Sequence, residues 1–411
     1  MALYAFDGTW NSDEDDPKVD TNVVRFKELY IEQNKVEYVS GVGTRFGKFG
    51  RVLGGLFGSG GRTRISEMYD ELCSNWEQGD QVIDIIGFSR GAALAIHFAN
   101  TIGEKGVKLG DGRVVPAKVR FLGLWDVVGS FGLSFDTFVN FQDINLGWNI
   151  DTLNNCVEHC FHAMALDERR ETFGVTRLDE SNRFPNIREV WFRGVHSDIG
   201  GGNGNEARSN IALQWMLAQG RSCGLAFDET KAKLSRYSRQ NRFAPVAENK
   251  DVKTDPRRRV GSDDKIDPSA LGVKLAPGEH HECEVLASIK YNWSGVSLEQ
   301  GASYICSTAA GDTWRDGDIE CGPEGWSSAE LPWYKEGLVE FAERFRRDEK
   351  ANWFALMGSL GDEDDILIPI GDGKEPFTAV RADDLYLFAN DMPSKYDNNE
   401  GSLIVSITRT A

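Results

Sequence analysis

The 411-residue chain is short of the features that mark several large classes of protein. Basic charge is lacking: 46 Lys and Arg stand against 64 Asp and Glu, a formal net charge of −18. A field of that sign repels a phosphate backbone, so nucleic acid is not an expected partner, and anionic membrane is not held by net charge alone. No apolar run reaches about 18 residues, so no transmembrane segment is expected. The N-terminus, MALYAFDGTW, enters a strand-like run at once. It lacks the basic and then apolar order of a Sec signal, which predicts a product that is cytoplasmic when made. The seven cysteines are odd in number and irregularly spaced, which argues against a disulfide framework. No internal repeat is visible. Histidine is scarce, six in all, so the search for a catalytic base is short.

What is present is an alternation of strand and helix signals over the first 240 residues. Residues 82–86, VIDII, are apolar at every position but Asp84, close to the run that a central parallel strand presents. Strand-like runs also fall at 3–7, 36–40, 119–125 and 190–195, and helical patterns at 23–33, 64–76, 92–102, 156–170 and 211–220. This order predicts an α/β fold, a doubly wound and mostly parallel sheet. Residues 241–278 are polar, charged and proline-bearing and are assigned to a linker, with a stretch that could lie over the first domain as the alternative. From 279 to 411, short strand-like runs recur between Gly-, Asp- and Asn-rich turns, predicting an all-β sandwich, interrupted by one helix at 338–350.

The sharpest motif is Gly87-Phe88-Ser89-Arg90-Gly91, a G-x-S-x-G directly after a strand and before a helix. In that context the glycines relieve crowding in a strained turn that lifts the serine hydroxyl clear of the sheet, so Ser89 is the candidate nucleophile. A serine needs a base held by an acid. Of the six histidines, His196 alone follows directly on a strand, in the glycine-rich GVHSDIGGG, and is the candidate base. Asp126 ends the strand FLGLW and lies between Ser89 and His196 in sequence, the order Ser, acid, His of an α/β-hydrolase; Asp198 is the alternative acid. The oxyanion donors are expected to be the amide of Arg90 and one from the turn after the first strand, Gly8 or Thr9. Catalysis of this kind needs no cofactor. Two other patterns carry less: C-V-E-H-C-F-H at 156–162 lacks a second ligand pair for a structural zinc, and the glycine-rich 47–61 lacks the ending of a P-loop.

FDGTWN, TNVVRF, GFSRGAA, GLWDVVG, HAMALDERR and VWFRGVHSDIGGGN occur in that order. Together they resemble the α/β-hydrolase family that includes the first class of type VI secretion lipase effectors, over residues 1–240. The resemblance implies a serine esterase or phospholipase acting on lipid acyl esters, with Ser89, Asp126 and His196 at the triad positions. It further implies export through a contractile secretion system, with a secretion spike and an immunity protein as partners. Residues 130–149, rich in Phe, Leu and Trp, are a candidate lid.

In the tail, NDMPSKYDNNEGS crowds oxygen-bearing side chains into one loop, which suits Ca²⁺. With YICSTAAGD and NWFALMGSLG it resembles the calcium-dependent galactophilic lectins of the PA-I type, over about 280–411. The resemblance implies Ca²⁺ held by Asp391, Asn398, Asn399 and the carbonyl of Lys395, and a galactose-type glycan as ligand; the sugar-side loop departs from that pattern, and Trp333, near it, is the candidate to stack on the sugar. Two rival readings stand beside this one: an intracellular hydrolase that damages the membrane of its own cell in defence, and a carbohydrate-binding protein on an inactive hydrolase scaffold.

Overall fold

The computed structural model describes residues 1–8, 20–31, 36–39, 59–129, 150, 152–170, 173–179, 183–246, 258–327 and 345–411. The chain divides into two compact units. One holds the chain through Arg242 and takes it up again as far as Ala270; the other holds Phe243 and its neighbours and the chain from Leu271 to Ala411.

The first unit is built on one parallel sheet. Its strands are β1 (Ala2–Phe6), β2 (Val36–Val39), β3 (Ile83–Phe88), β6 (Val119–Trp125), β7 (Cys160–Ala165), β8 (Ile187–Phe192) and β9 (Lys265–Ile266), in the order β2-β1-β3-β6-β7-β8-β9. A two-residue hairpin, β4 (Val107–Lys108) with β5 (Val114–Val115), lies outside it. The six strand pairs are all parallel. Among the described residues its α-helices are α1 (Asn22–Leu29), α2 (Ser59–Glu77), α3 (Ser89–Lys105), α4 (His196–Gly200), α5 (Glu206–Ser222) and α6 (Ser235–Ser238).

Residues along a strand point alternately to the two faces, and the core divides accordingly. Tyr4, Phe6, Ile85, Leu122 and Leu124 pack with Leu94, Phe98 and Met68 of α2 and α3. Leu3, Ala5, Ile86, Phe121 and Trp125 pack with Phe26 of α1 and Leu213 and Met216 of α5. A sheet apolar on both faces explains why 82–86 is apolar apart from Asp84, whose buried carboxylate is paired with Arg120 and accepts from the Tyr30 hydroxyl. Strand order reverses at β1, whose neighbours are β2 and β3. Ligands of open α/β sheets collect beyond the carboxyl ends of the strands at such a switch point.

Two local expectations differ from the structure. Residues 156–170 form no helix; Cys160–Ala165 is the fully buried strand β7. The apolar positions of CFHAMA satisfy a helical period by chance, but flanking strands on both sides bury every one of them. The stretch read as linker behaves as part of the first unit from Arg258 to Ala270, because Lys265 and Ile266 pair with Val190 and Trp191.

The second unit is antiparallel. Its strands are β10 (His280–Leu286), β11 (Asn292–Leu298), β12 (Ser303–Thr308), β13 (Trp314–Asp316), β14 (Ile319–Cys321), β15 (Leu356–Leu360), β16 (Leu367–Pro369), β17 (Phe377–Thr378), β18 (Asp383–Ala389), β19 (Asn399–Glu400) and β20 (Ser402–Arg409). They form sheets β10-β20-β12-β17, β11-β18-β15-β16 and β14-β13-β19. The two larger sheets share one apolar core, with Val285, Tyr304 and Val405 from one and Val296, Leu356 and Leu387 from the other. Most of the helix expected at 338–350 lies outside the described residues.

Candidate active site

The three candidate triad residues each follow the carboxyl end of a sheet strand. Ser89 opens α3 directly after β3, Asp126 follows β6, and His196 opens α4 four residues after β8. Ser89 has a left-handed backbone, φ 58°, and so does Asp126, φ 41°. A non-glycine residue in that region is uncommon and concentrates at functional turns. Gly91 makes the turn possible: a Cβ there would run into the carbonyls of Phe6 and Asp7, so only glycine lets α3 approach the end of β1.

Asp126 and His196 meet directly. His196 Nδ1 donates to Asp126 Oδ2 at 2.6 Å, and both residues are buried. The proton on Nδ1 leaves Nε2 as the basic nitrogen. The imidazole is held from the sides as well. The Phe88 ring, next in the chain to Ser89, stacks on it at 4.6 Å, and Phe173 meets it edge-on at 4.8 Å. The His196 backbone N–H donates to Glu168 Oε2 at 3.1 Å.

Asp126 has further partners. Its Oδ1 accepts from the Ala165 amide at 2.9 Å and from Arg258 Nη1 at 2.5 Å, and Arg258 Nη2 reaches Oδ2 at 3.0 Å. Burial by itself would raise the Asp126 carboxyl; the Arg258 charge and then the His196 contact reverse that and hold it well below the usual carboxylate range. Behind it, buried His162 accepts from the Val127 amide at 3.1 Å and faces Glu189 at 3.0 Å. Burial pushes the Glu189 carboxyl up, but His162, the Leu178 amide and Arg177 outweigh it and bring it to about 2.

Asp198, the alternative acid, lies elsewhere. Its Oδ2 accepts from the Val195 amide at 3.1 Å and its Oδ1 from Asn203 and Asn205 at 2.9 Å each. It caps α4 and braces the glycine loop. Gly8, expected to offer an oxyanion donor, has its N–H engaged: it donates to Asp7 Oδ1 at 2.7 Å. The buried Asp7 carboxylate, which also accepts from Thr21 and Tyr38 at 2.8 Å, takes the nearest amide. Burial drives this carboxyl up to about 6. The Arg90 amide sits in the first turn of α3, where no carbonyl four residues back is available to it. Its guanidinium is half-buried, burial lowers its pKa, and no acidic partner meets it among the described residues. Thr9, residues 130–149 and most of the glycine-rich 47–61 lie outside the described residues.

Sequence reasoning missed Arg258, Glu168, Phe88 and Phe173. Arg258 is one of three consecutive arginines in a polar stretch, and nothing in that pattern singles it out.

In the second unit, Asp391 follows β18 and Asn399 opens β19, which pairs with β13 so that Asp316 lies opposite Asn399. Asn399 Nδ2 donates to Asp391 Oδ2 at 3.1 Å and to the Ala287 carbonyl at 3.2 Å; Asn398 Nδ2 donates to Asp316 Oδ1 at 3.0 Å. Asn399 Oδ1 is buried with no hydrogen-bond partner. Burial and then the Asp316 charge push the Asp391 carboxyl up to about 6. The Lys395 carbonyl accepts from the Asn398 amide at 3.4 Å. Two carboxylates forced together beside an orphaned amide oxygen are a donor set that a hard cation would satisfy. No group of three His, Cys, Asp or Glu side chains with metal-site geometry occurs among the described residues. Trp333 lies outside them.

A parallel α/β domain with a buried acid–imidazole pair beside a strained serine turn defines the class of the first unit. The family model for the catalytic domain of Tle1-like phospholipase effectors of the type VI secretion system matches residues 3–114 and 109–219, more than half of the chain, and the chain belongs to that family. No curated protein matches. Among solved structures, an uncharacterized protein from Pseudomonas aeruginosa is 23% identical, covers 55% of this chain and 46% of its own, and has a TM-score of 0.38. This chain thus spans about half the length of that protein. The Tle1 effector bound to the VgrG spike of the type VI secretion system is 15% identical over 97% of this chain and 70% of its own, with a TM-score of 0.34. The EclA N-terminal domain, a PllA-like lectin, is 20% identical over 31% of this chain and 94% of its own, with a TM-score of 0.23.

Proposed function

We propose that the chain is a serine phospholipase of α/β-hydrolase type, delivered as a type VI secretion effector. The observation that carries the chemistry is the 2.6 Å contact of His196 Nδ1 with Asp126, beside a serine at φ 58° in a strand-to-helix turn. Ser89 Oγ attacks the acyl carbon as His196 Nε2 takes its proton. His196 then returns that proton to the leaving alcohol, and water repeats the cycle on the acyl-enzyme. Asp126 holds the imidazole in the required tautomer. The Arg90 amide and the N-terminus of α3 stabilise the oxyanion. Membership of the phospholipase effector family supports a phospholipid substrate, and so does the half-buried Arg90 guanidinium. A desolvated cation next in the chain to the nucleophile, with no carboxylate on it among the described residues, suits an anionic phosphate in the headgroup. A secretion spike and an immunity protein are the partners this reading requires.

The second unit is proposed as a calcium-dependent lectin-like module for galactose-type glycans. Asp391, Asn398, Asn399 and the Lys395 carbonyl would hold the ion, with Asp316 as a second carboxylate. The orphaned Asn399 Oδ1 and the raised Asp391 carboxyl support that donor set.

The test of the chemistry is Ser89→Ala. Purified variant with an unchanged melting temperature should release no fatty acid from phosphatidylglycerol or phosphatidylethanolamine vesicles; turnover at the native rate would remove Ser89 from the mechanism.

A further inference from the structure

The chain beyond α6 contributes to the active site, and Arg258 is where it does so. The guanidinium is buried, with 6% of its side chain exposed, against a fully buried Asp126. Its four terminal N–H bonds are all used. Nη1 donates to Asp126 Oδ1 at 2.5 Å and to the Ala165 carbonyl at 2.7 Å. Nη2 donates to Asp126 Oδ2 at 3.0 Å and to the Phe173 carbonyl at 2.6 Å. The fork therefore grips both oxygens of the carboxylate that carries His196, and fixes the backbone of the phenylalanine whose ring abuts the imidazole. Bidentate geometry of this kind sets the carboxylate plane as well as its charge.

The residues that follow secure the arginine. Asp264 accepts from the Gly261 amide at 2.8 Å and from Trp191 Nε1 at 3.1 Å, and forks with Arg177 at 3.0 and 2.9 Å. Arg177 in turn holds Glu189 at 2.9 Å, the carboxylate behind His162 and the Val127 amide. Lys265 and Ile266 then add the last strand of the sheet. The segment from Arg258 to Ile266 is thus tied to both sides of the Asp126 turn, directly through Arg258 and indirectly through Asp264.

We propose that Arg258 is a positioning residue for hydrolysis, orienting the Asp126 carboxylate on His196, and that the segment 258–266 is an integral part of the active site and not a tether between units. The inference rests on the Ser89–His196–Asp126 reading above. Without the fork, Asp126 keeps one contact at each oxygen, the Ala165 amide on Oδ1 and His196 on Oδ2, which leaves the carboxylate some freedom to rock about its Cβ–Cγ bond. The fork removes that freedom, so its loss acts on the chemical step and leaves substrate binding alone.

The full-length protein carrying Arg258→Ala is compared with the native chain on a soluble short-chain ester. kcat should fall about 100-fold, within the range by which outer-shell partners influence an active group, with KM held within about twofold. Arg258→Lys, which keeps the charge but loses the fork, should recover only part of the loss. Ethylguanidinium added to the Arg258→Ala protein should restore activity in a saturable way, which a folding defect would not allow. A kcat within threefold of native in Arg258→Ala, or a loss that appears wholly in KM, overturns the proposal. So does complete rescue by lysine with no response to guanidinium. Ser89→Ala run alongside separates the two claims: if it is inactive while Arg258→Ala is fully active, the triad stands and the positioning role falls. If Ser89→Ala is active, the triad itself is wrong.

Discussion

Replacing Asp126 by asparagine changes one atom at the centre of the site and should show two separable effects. The first is kinetic. An amide opposite His196 Nδ1 lets the imidazole take the other tautomer, leaving Nε2 protonated and useless as a base; in serine hydrolases generally this costs about 10⁴-fold in kcat. The second is on stability. Arg258 is a buried cation whose carboxylate partner is Asp126, and removing one member of a buried pair typically destabilises by about 3–5 kcal/mol. Since the folded-state carboxyl is depressed, its contribution to stability is present above the ordinary aspartate range and lost only as pH falls through the lower folded value. The variant should therefore lie below native in stability throughout pH 5–8, converging with it only in acid. The assay is paired: short-chain ester turnover and urea unfolding at pH 5, 6, 7 and 8. Asp198→Asn should lower kcat only a few-fold, because Asp198 caps α4 and braces the loop through the Val195 amide, Asn203 and Asn205, while His196 Nδ1 is on Asp126. Asp126→Asn retaining a tenth of native kcat, or Asp198→Asn being the more damaging, would refute the reasoning and move the acid to Asp198.

Arg90→Gln should lower the ratio of kcat/KM for phospholipid to that for a neutral acylglycerol by about 10–100-fold, the range of one charge-assisted hydrogen bond; a ratio that does not move assigns the phosphate no contact with Arg90. In the second unit, Ca²⁺ uptake by calorimetry should require Asp391, and Asp391→Ala should weaken it most. Because burial and Asp316 push that carboxyl up to about 6, Ca²⁺ affinity should fall as pH drops from 7 through 6 and binding should release protons there; pH-independent affinity would count against Asp391 as a ligand.

The parts of this protein that the sequence makes legible are those where a short local rule acts. Residues 82–91 carry the strand, the glycines and the serine in one stretch, and the structure builds the turn there, with Ser89 at φ 58°. Asp126 and His196 are legible because each follows an apolar run that a parallel sheet needs. Periodicity misleads at 156–170, since a strand covered on both faces presents no polar side and its apolar residues match a helical spacing equally well. Gly8 is legible only in part for another reason: a buried Asp7 takes its amide, and that contact depends on burial that no local pattern encodes.

Arg258 is the hardest case, and it shows why the polar stretch reads as a linker. Composition reports whether a segment can bury apolar surface, and 258–266 buries little. Beside the short strand pairing with β8, what fixes it is complementary charge: the buried Asp126 offers its carboxylate oxygens to Arg258, and Arg177, already held by Glu189, offers its guanidinium N–H groups to Asp264. A charged segment is drawn into such contacts by pairing, not by hydrophobicity. The same reasoning sets its vulnerability. Hydrophobic docking tolerates single substitutions of similar volume, whereas this segment depends on two ion-paired forks, Arg258 on Asp126 and Asp264 on Arg177. Loss of either should loosen the other, so Arg258→Ala and Asp264→Ala combined should cost less than the product of their separate effects on kcat, the signature of two residues acting through one docked segment.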